Sequence, residues 1–124
     1  MDITDPIKYK AATVVFSLAN KTNKSGFHGS ANKEPKGKGW VQCLNTVNGV
    51  MCKPDKIEEA IEYYKIAYDI YPDIVALNQI ALGYEMFGEK LKATEYFLLM
   101  KEQAEKESNE AYVQASESGL KRCM

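Results

Sequence analysis

Residues 44–67 read LNTVNGVMCKPDKIEEAIEYYKIA and residues 77–100 read LNQIALGYEMFGEKLKATEYFLLM, and the two stretches superimpose at an offset of 33. Leu44, Val47, Met51, Ala60, Glu62, Tyr63, Tyr64, Ile66 and Ala67 recur as Leu77, Ile80, Tyr84, Ala93, Glu95, Tyr96, Phe97, Leu99 and Met100. Large residues meet large ones and Ala60 meets Ala93. A fixed period of roughly 20–50 residues is the mark of a repeat architecture. Within each unit the apolar residues step by three and four, which is helical spacing. The unit therefore reads as a helix-turn-helix. Its small residue, Ala60 or Ala93, permits close approach of a partner helix, and the aromatic one turn later, Tyr64 or Phe97, fills the space beside it.

Working outward, the punctuation places the other helices. Asp5-Pro6 opens a first helix over 5–20, with the aspartate as N-cap and the proline at the first helical position. Ala12, Val15, Phe16 and Ala19 share one face of it. Trp40, Leu44, Val47 and Met51 predict a second helix over 40–52, stopped by Lys53-Pro54. Asp55 and Glu58 form a capping box for the next helix, which Pro72 ends near Tyr71. Asp73 caps a helix to Phe87, and Gly88 breaks the chain. A fifth helix runs from about Glu89 to Glu107, and Ser108 or Asn109 caps a last one to Cys123. No segment shows strand-like alternation. The expected fold is all-α: a helix-turn-helix repeat array of five to six helices, with a long basic loop after the first.

These residues resemble the tetratricopeptide repeat family, whose pattern is an aromatic or leucine, a leucine-glycine pair and a tyrosine on one helix, then alanine, aromatic and proline on the next. Ala60, Tyr64, Ala67 and Pro72 are similar to the second helix of such a repeat. Leu77, Ile80, Ala81, Tyr84, Gly88, Ala93 and Phe97 are similar to most of the following one. The likeness spans residues 41–105. Asn48, Met100 and Glu105 depart from the pattern, standing where small residues and a proline recur in the family. One domain over 1–124 is implied, with repeats at 40–72 and 73–107 and a C-terminal capping helix at 108–123. Ala12, Phe16 and Ala19 copy the rhythm of Ala60, Tyr64 and Ala67. The first helix is thus either a degenerate half-repeat before an enlarged loop or an unrelated amphipathic cap.

Composition fits one soluble domain: 124 residues, 45% apolar and 27% charged, with a net charge of -1. That balance excludes a disordered chain. The near-neutral total hides an asymmetry, because the first 39 residues hold seven lysines and three acids while the rest is acidic. Residues 21–39 carry five lysines, four glycines and one acid, and so read as a flexible basic loop. Two acids precede any apolar stretch at the N-terminus, so no export is expected. The longest apolar run, Tyr96 to Met100, is far short of the roughly 20 residues that cross a bilayer. No membrane association follows. Three cysteines, Cys43, Cys52 and Cys123, are odd in number and widely spaced, which points to a reducing, cytoplasmic setting.

Catalytic and metal chemistry finds little support. His28 is the single histidine, and with Cys43, Cys52 and Cys123 it lacks the close spacing of a zinc site. Neither an oxyanion motif nor a phosphate loop is present, since Lys36-Gly37-Lys38-Gly39 lacks the glycine and hydroxyl that such a loop needs. The expectation is a non-enzyme without cofactor or metal. By the family resemblance, the first helix of each unit lines a groove for a peptide or partner helix. The positions implied are Gln42, Asn45, Gly49, Val75, Asn78, Leu82 and Glu85, where asparagines suit a peptide backbone. The alternative is a nucleic-acid-binding accessory protein using Lys21, Lys24, Lys33, Lys36 and Lys38 on phosphates, with Phe27 or Trp40 stacking on a base. A single arginine, Arg122, and an acidic helical body weigh against it. Numerous tyrosines and methionines also suggest a homodimer through an end helix.

Overall fold

The structure is a computed structural model and describes residues 6–25, 41–42, 51–52 and 54–123. Five helices follow one another: α1 (Pro6–Ser25), α2 (Pro54–Ile70), α3 (Ile74–Phe87), α4 (Lys90–Lys106) and α5 (Glu110–Cys123). A two-residue antiparallel ladder, β1 (Val41–Gln42) with β2 (Met51–Cys52), lies between α1 and α2 in the chain, with Val41 opposite Cys52 and Gln42 opposite Met51. Each helix packs on the next in line, and β1 sits beside α3. The fold is an all-α array of adjacent antiparallel helices.

The termini explain why these helices begin and end where they do. The Asp73 carboxylate accepts the Val75 N–H at 3.0 Å, a side-chain N-cap for α3. Gly88 closes the same helix at φ 88°, donating its N–H to the Glu85 carbonyl, while Glu89 donates to Tyr84. This is a Schellman ending, and only glycine takes that φ without penalty. The end of α4 repeats the arrangement without glycine. Ser108, at φ 55°, donates to Glu105 and Asn109 donates to Ala104 at 2.8 Å. Asn109 Oδ1 then accepts the Tyr112 N–H and starts α5.

Burial repeats with the same period as the sequence. Ala60, Tyr64 and Ala67 on α2 are buried, and so are Ala93, Phe97 and Met100 on α4. Tyr63 and Tyr96 are both half-buried, and Ile66 and Leu99 are exposed to 48% and 49%. The core runs between the helices as one cluster that includes Ile57, Ile61, Leu77, Ile80, Phe97 and Met100. Small residues set the spacing. A Cβ on Gly83 of α3 would stand 2.6 Å from Ile61 Cγ1 of α2, and one on Gly119 of α5 would stand 2.6 Å from Phe97 Cδ1 of α4.

Three expectations are corrected. Val41–Gln42 and Met51–Cys52 are extended rather than helical, so the helix expected over 40–52 is absent at both ends, while 43–50 lies outside the described residues. Val41, Gln42, Met51 and Cys52 gain ladder hydrogen bonds with one another, which an extended backbone supplies and a helix would not. Its place beside α2 is taken by α1, which runs antiparallel to it: Tyr9 meets Tyr71, and Phe16 meets Tyr64. Second, α1 continues to Ser25, so residues 21–25 are helical rather than part of the expected loop; 26–39 lies outside the described residues. Lysines extend helices well, and in a C-terminal turn their charge interacts favourably with the negative end of the helix dipole. Third, α2 starts at Pro54, which puts Asp55 inside the helix rather than at its cap.

Candidate functional site

Where α1 lies across the turn from α2 to α3, the three helices leave an open cleft of about 210 Å³. From α1 it takes Tyr9, Ala12, Thr13 and Phe16, which step by three, one and three along a single face. The far wall is Ala67 and Tyr71 at the end of α2, then Asp73, Val75 and Ala76 where α3 begins. Pro72 forces the chain to turn there, because a helix cannot continue through it. Alanines make the floor: Ala12, Ala67 and Ala76 are all buried. Aromatic rings make the sides. Tyr9 and Tyr71 meet edge to face with centroids 5.2 Å apart, and Phe16 meets Tyr64 at 5.1 Å. Such pairs hold their rings in place beyond what burial alone achieves.

Polar groups around the cleft are bonded within the fold. The Tyr64 hydroxyl donates to Asn20 Oδ1 on α1 and accepts from Gln79 Nε2 on α3 at 3.3 Å, so one phenol ties three helices together. Burial pushes its ionisation above the ordinary phenol range, and the Gln79 bond offsets part of that. Thr13 Oγ1 donates to the Tyr9 carbonyl at 2.8 Å. The cleft is therefore an apolar slot with fixed walls, suited to one buried side chain and to contacts of shape rather than charge.

Of the residues expected to line a groove, Val75 does so, at the lip. Asn78 and Leu82 are half-buried further along α3. Leu82 turns toward a narrow gap against α2 that also touches Ile57, Ile61, Tyr64 and Met86. Glu85 is buried, and Arg122 of α5 holds it through Nε at 2.7 Å and Nη2 at 3.0 Å. The bidentate pair closes that end of the α3 face. Gln42 lies in β1, and Asn45 and Gly49 lie outside the described residues. The residues that reasoning from sequence missed are Tyr9, Thr13 and Phe16. They were hidden because 40–52 was paired with α2, and the usable signal was the apolar face of α1.

Lys21 and Lys24 sit in the last turns of α1, whereas Lys33, Lys36 and Lys38 lie outside the described residues, as do His28 and Cys43. Cys123 is half-buried, and its thiol is raised by burial and then by the Glu85 carboxylate nearby. That makes it a poor nucleophile. Among the described residues, no three His, Cys, Asp or Glu side chains are placed to hold a metal ion, and no helix is long and apolar enough to cross a membrane. A second group of side chains braces α2, α3 and α4. Tyr84 and Tyr96 stack at 5.5 Å, and Lys65 and Lys92 lie over the Tyr84 ring at 5.0 and 5.5 Å. Comparison of the chain with protein-family models, with curated proteins and with solved structures finds no match.

Proposed function

We propose that the protein is a non-catalytic interaction module, an adaptor that takes an apolar side chain of a peptide or partner helix into the cleft between α1, α2 and α3. The observation that carries this reading is the cleft itself, an open apolar slot of about 210 Å³ with rigid aromatic sides and an alanine floor. A volume of that order suits a leucine, methionine or phenylalanine side chain, and helix-lined grooves commonly accept such anchors. A tetratricopeptide-like plan agrees with it: α1 with α2 and α3 with α4 form two units, and α5 covers the open end as a terminal cap. The odd set of three thiols fits work in the cytoplasm.

Selection of peptides from a displayed library, followed by affinity measurement on the enriched sequences, tests this. Bound peptides are expected to share one large apolar residue. Val75→Glu at the lip and Thr13→Trp, which fills the slot, are expected to weaken them at least 10-fold, the order that loss of one buried side chain implies at about 1.5–3 kcal/mol. Thermal midpoints stay within a few degrees, because both residues are exposed. Binding that ignores both substitutions refutes the cleft as the site.

A further inference from the structure

Nine of the described residues line the cleft between α1, α2 and α3, and Asp73 is the one that carries a charge. It is half-buried, standing where the slot opens to solvent. Its backbone is committed to the turn: the N–H donates to the Tyr71 carbonyl at 2.7 Å, and the carbonyl accepts the Ala76 and Leu77 N–H groups at 3.0 and 3.4 Å. Oδ1 takes the Val75 N–H at 3.0 Å. From behind, α4 braces the same turn. Gln103 donates to the Pro72 carbonyl at 2.9 Å and accepts the Tyr68 hydroxyl at 2.9 Å. The Asp73 side chain is thus held in place before anything binds, which removes most of the ordering cost of using it. Oδ2 stands outside this network, with no donor or cation bonded to it among the described residues.

An apolar side chain seated in the slot brings the rest of its chain over Oδ2 and strips water from it. A carboxylate oxygen that loses water and gains no partner is costly, so the residues beside the anchor matter. A peptide N–H meets the hydrogen bond but leaves the charge, and a neighbouring acid adds repulsion. A lysine or arginine meets both needs. The positive end of α3 offsets about half of the Asp73 charge, which leaves the mouth negative. Tyr9 and Tyr71 line the same cleft, and tyrosine rings favour a cation further. On α1, Lys8 and Lys10 stand either side of Tyr9, both exposed. At 100° per residue they fall about 40° and 60° outside the arc that Tyr9, Ala12, Thr13 and Phe16 turn to the cleft, so neither lines it. A second copy is a poor occupant. Its most exposed large apolar residue among those described, Leu91 at 84%, has Glu95 one turn on along the same face, which would bring a like charge to Asp73. Resting on the reading of the cleft as the binding site, we propose that its occupant is a segment of another protein that joins the apolar anchor to a lysine or arginine, whose cation meets Asp73 Oδ2.

Three acetylated and amidated 13-residue peptides are the probes. Each is serine throughout except for a central leucine and the two residues on each side of it, which are lysine in the first, glutamine in the second and glutamate in the third. Methyl NMR of the full chain, read at Thr13, Val75 and Ala76, gives the affinities. The lysine peptide is expected to bind at least about 3-fold tighter than the glutamine peptide, and the glutamate peptide more weakly than either, with the spread shrinking as salt rises. Asp73→Asn keeps an N-cap of the same rank while removing the charge, and is expected to bring the lysine and glutamine peptides to equal affinity. Thermal melting checks that the variant is folded. Equal affinity of the unaltered chain for all three peptides, or a lysine preference that survives Asp73→Asn, overturns the proposal and leaves the cleft standing as an apolar slot. Absence of methyl shifts with all three overturns the cleft reading itself and the proposal with it. Tighter binding of the glutamate peptide, abolished by Lys10→Gln, overturns the proposal in favour of an acidic partner held from α1. Sedimentation showing self-association that Asp73→Asn abolishes overturns it in favour of a second copy.

Discussion

Gly119→Ala sets two well-known effects against each other. Alanine in a helix interior is favoured over glycine by about 0.5–1 kcal/mol, so propensity alone predicts that α5 and the protein gain stability. Packing predicts the reverse. A Cβ at 119 would stand 2.6 Å from Phe97 Cδ1 and closer still to Cε1 and Cζ, nearer than real methyl groups come. Phe97 has no exposure, so its ring cannot swing toward solvent to make room. Overpacking a filled core costs about 1–3 kcal/mol, and three clashing atoms of a trapped ring belong in the upper half of that range. The net expectation is a loss of about 1–2 kcal/mol, seen in urea as a lower midpoint at unchanged m-value and in calorimetry as a midpoint lower by about 3–10 °C. The cause is then isolated by Phe97→Leu, which removes the ring edge at a cost of its own of about 1–2 kcal/mol. The double variant should be more stable than the two single losses added together, by at least about 0.5 kcal/mol. An unchanged or raised midpoint in Gly119→Ala, or strict additivity with Phe97→Leu, would refute the packing of α5 on α4 described above. Gly83→Ala is a milder control, since the atom it meets at 3.0 Å is the movable end of Ile61.

Ser108→Gly relieves a left-handed residue at the end of α4 and should stabilise by about 0.5–1 kcal/mol, read as a higher urea midpoint. Arg122→Ala leaves the Glu85 carboxylate, 5% exposed, without its cation; discounted for the 45% exposure of Arg122, the loss is about 1.5–3 kcal/mol. Replacing both, with Glu85→Leu and Arg122→Met, should restore most of it in the same denaturation assay. The tyrosines give a pH dependence with a definite sign. Burial raises Tyr64, so the fold holds that proton more tightly than the unfolded chain does. Its contribution is complete below about pH 10, the ordinary phenol value, and is lost as pH climbs through the higher folded value. Thermal midpoints should be level from pH 7 to 8, begin to fall near pH 9 where Cys123, also raised by burial, starts to lose its contribution, and fall further above pH 10. Tyr64→Phe should flatten part of that fall, while Tyr68, Tyr96 and Cys123, which burial raises in the same direction, keep their share.

The elements that could be read from the residues are those fixed by local chemistry. Asp73 and Gly88 bound α3 as a side-chain cap and a left-handed ending should, and their action depends on a few neighbouring peptide groups. The period of 33 was legible for a related reason: Ala60, Tyr64 and Ala67 are buried as Ala93, Phe97 and Met100 are, so residues of similar size stand at similar depth. Two things were not legible. The end of α4 is made by Ser108 at positive φ, a conformation that serine only sometimes takes and that no composition rule announces. The choice of partner for α2 is a tertiary decision between two amphipathic stretches, 6–25 and 40–52. Periodicity measures the face a helix would have, not whether the helix forms.

That single mispairing also explains why the cleft went unseen, and it ties site to fold. A groove residue has meaning only relative to the helix across from it. With 40–52 opposite α2, the facing positions were Gln42 and Asn45; with α1 there, they are Tyr9, Thr13 and Phe16. The substitution changes the chemistry as well as the address, from amides that would hold a peptide backbone to aromatic walls that accept a side chain. It also gives α1 two unlike faces. Ala12, Phe16 and Ala19 hold it to α2, and Tyr9 and Thr13 beside them open the cleft, while Ile7, Val14 and Leu18 remain in solvent on the far side. In sequence, α1 and its partner α2 are separated by residues 26–53. Packing must hold α1 in place. The Phe16–Tyr64 contact and the shared Tyr64 hydroxyl contribute to that attachment, so a ligand in the cleft, which touches α1, α2 and α3 together, would stabilise α1 on α2.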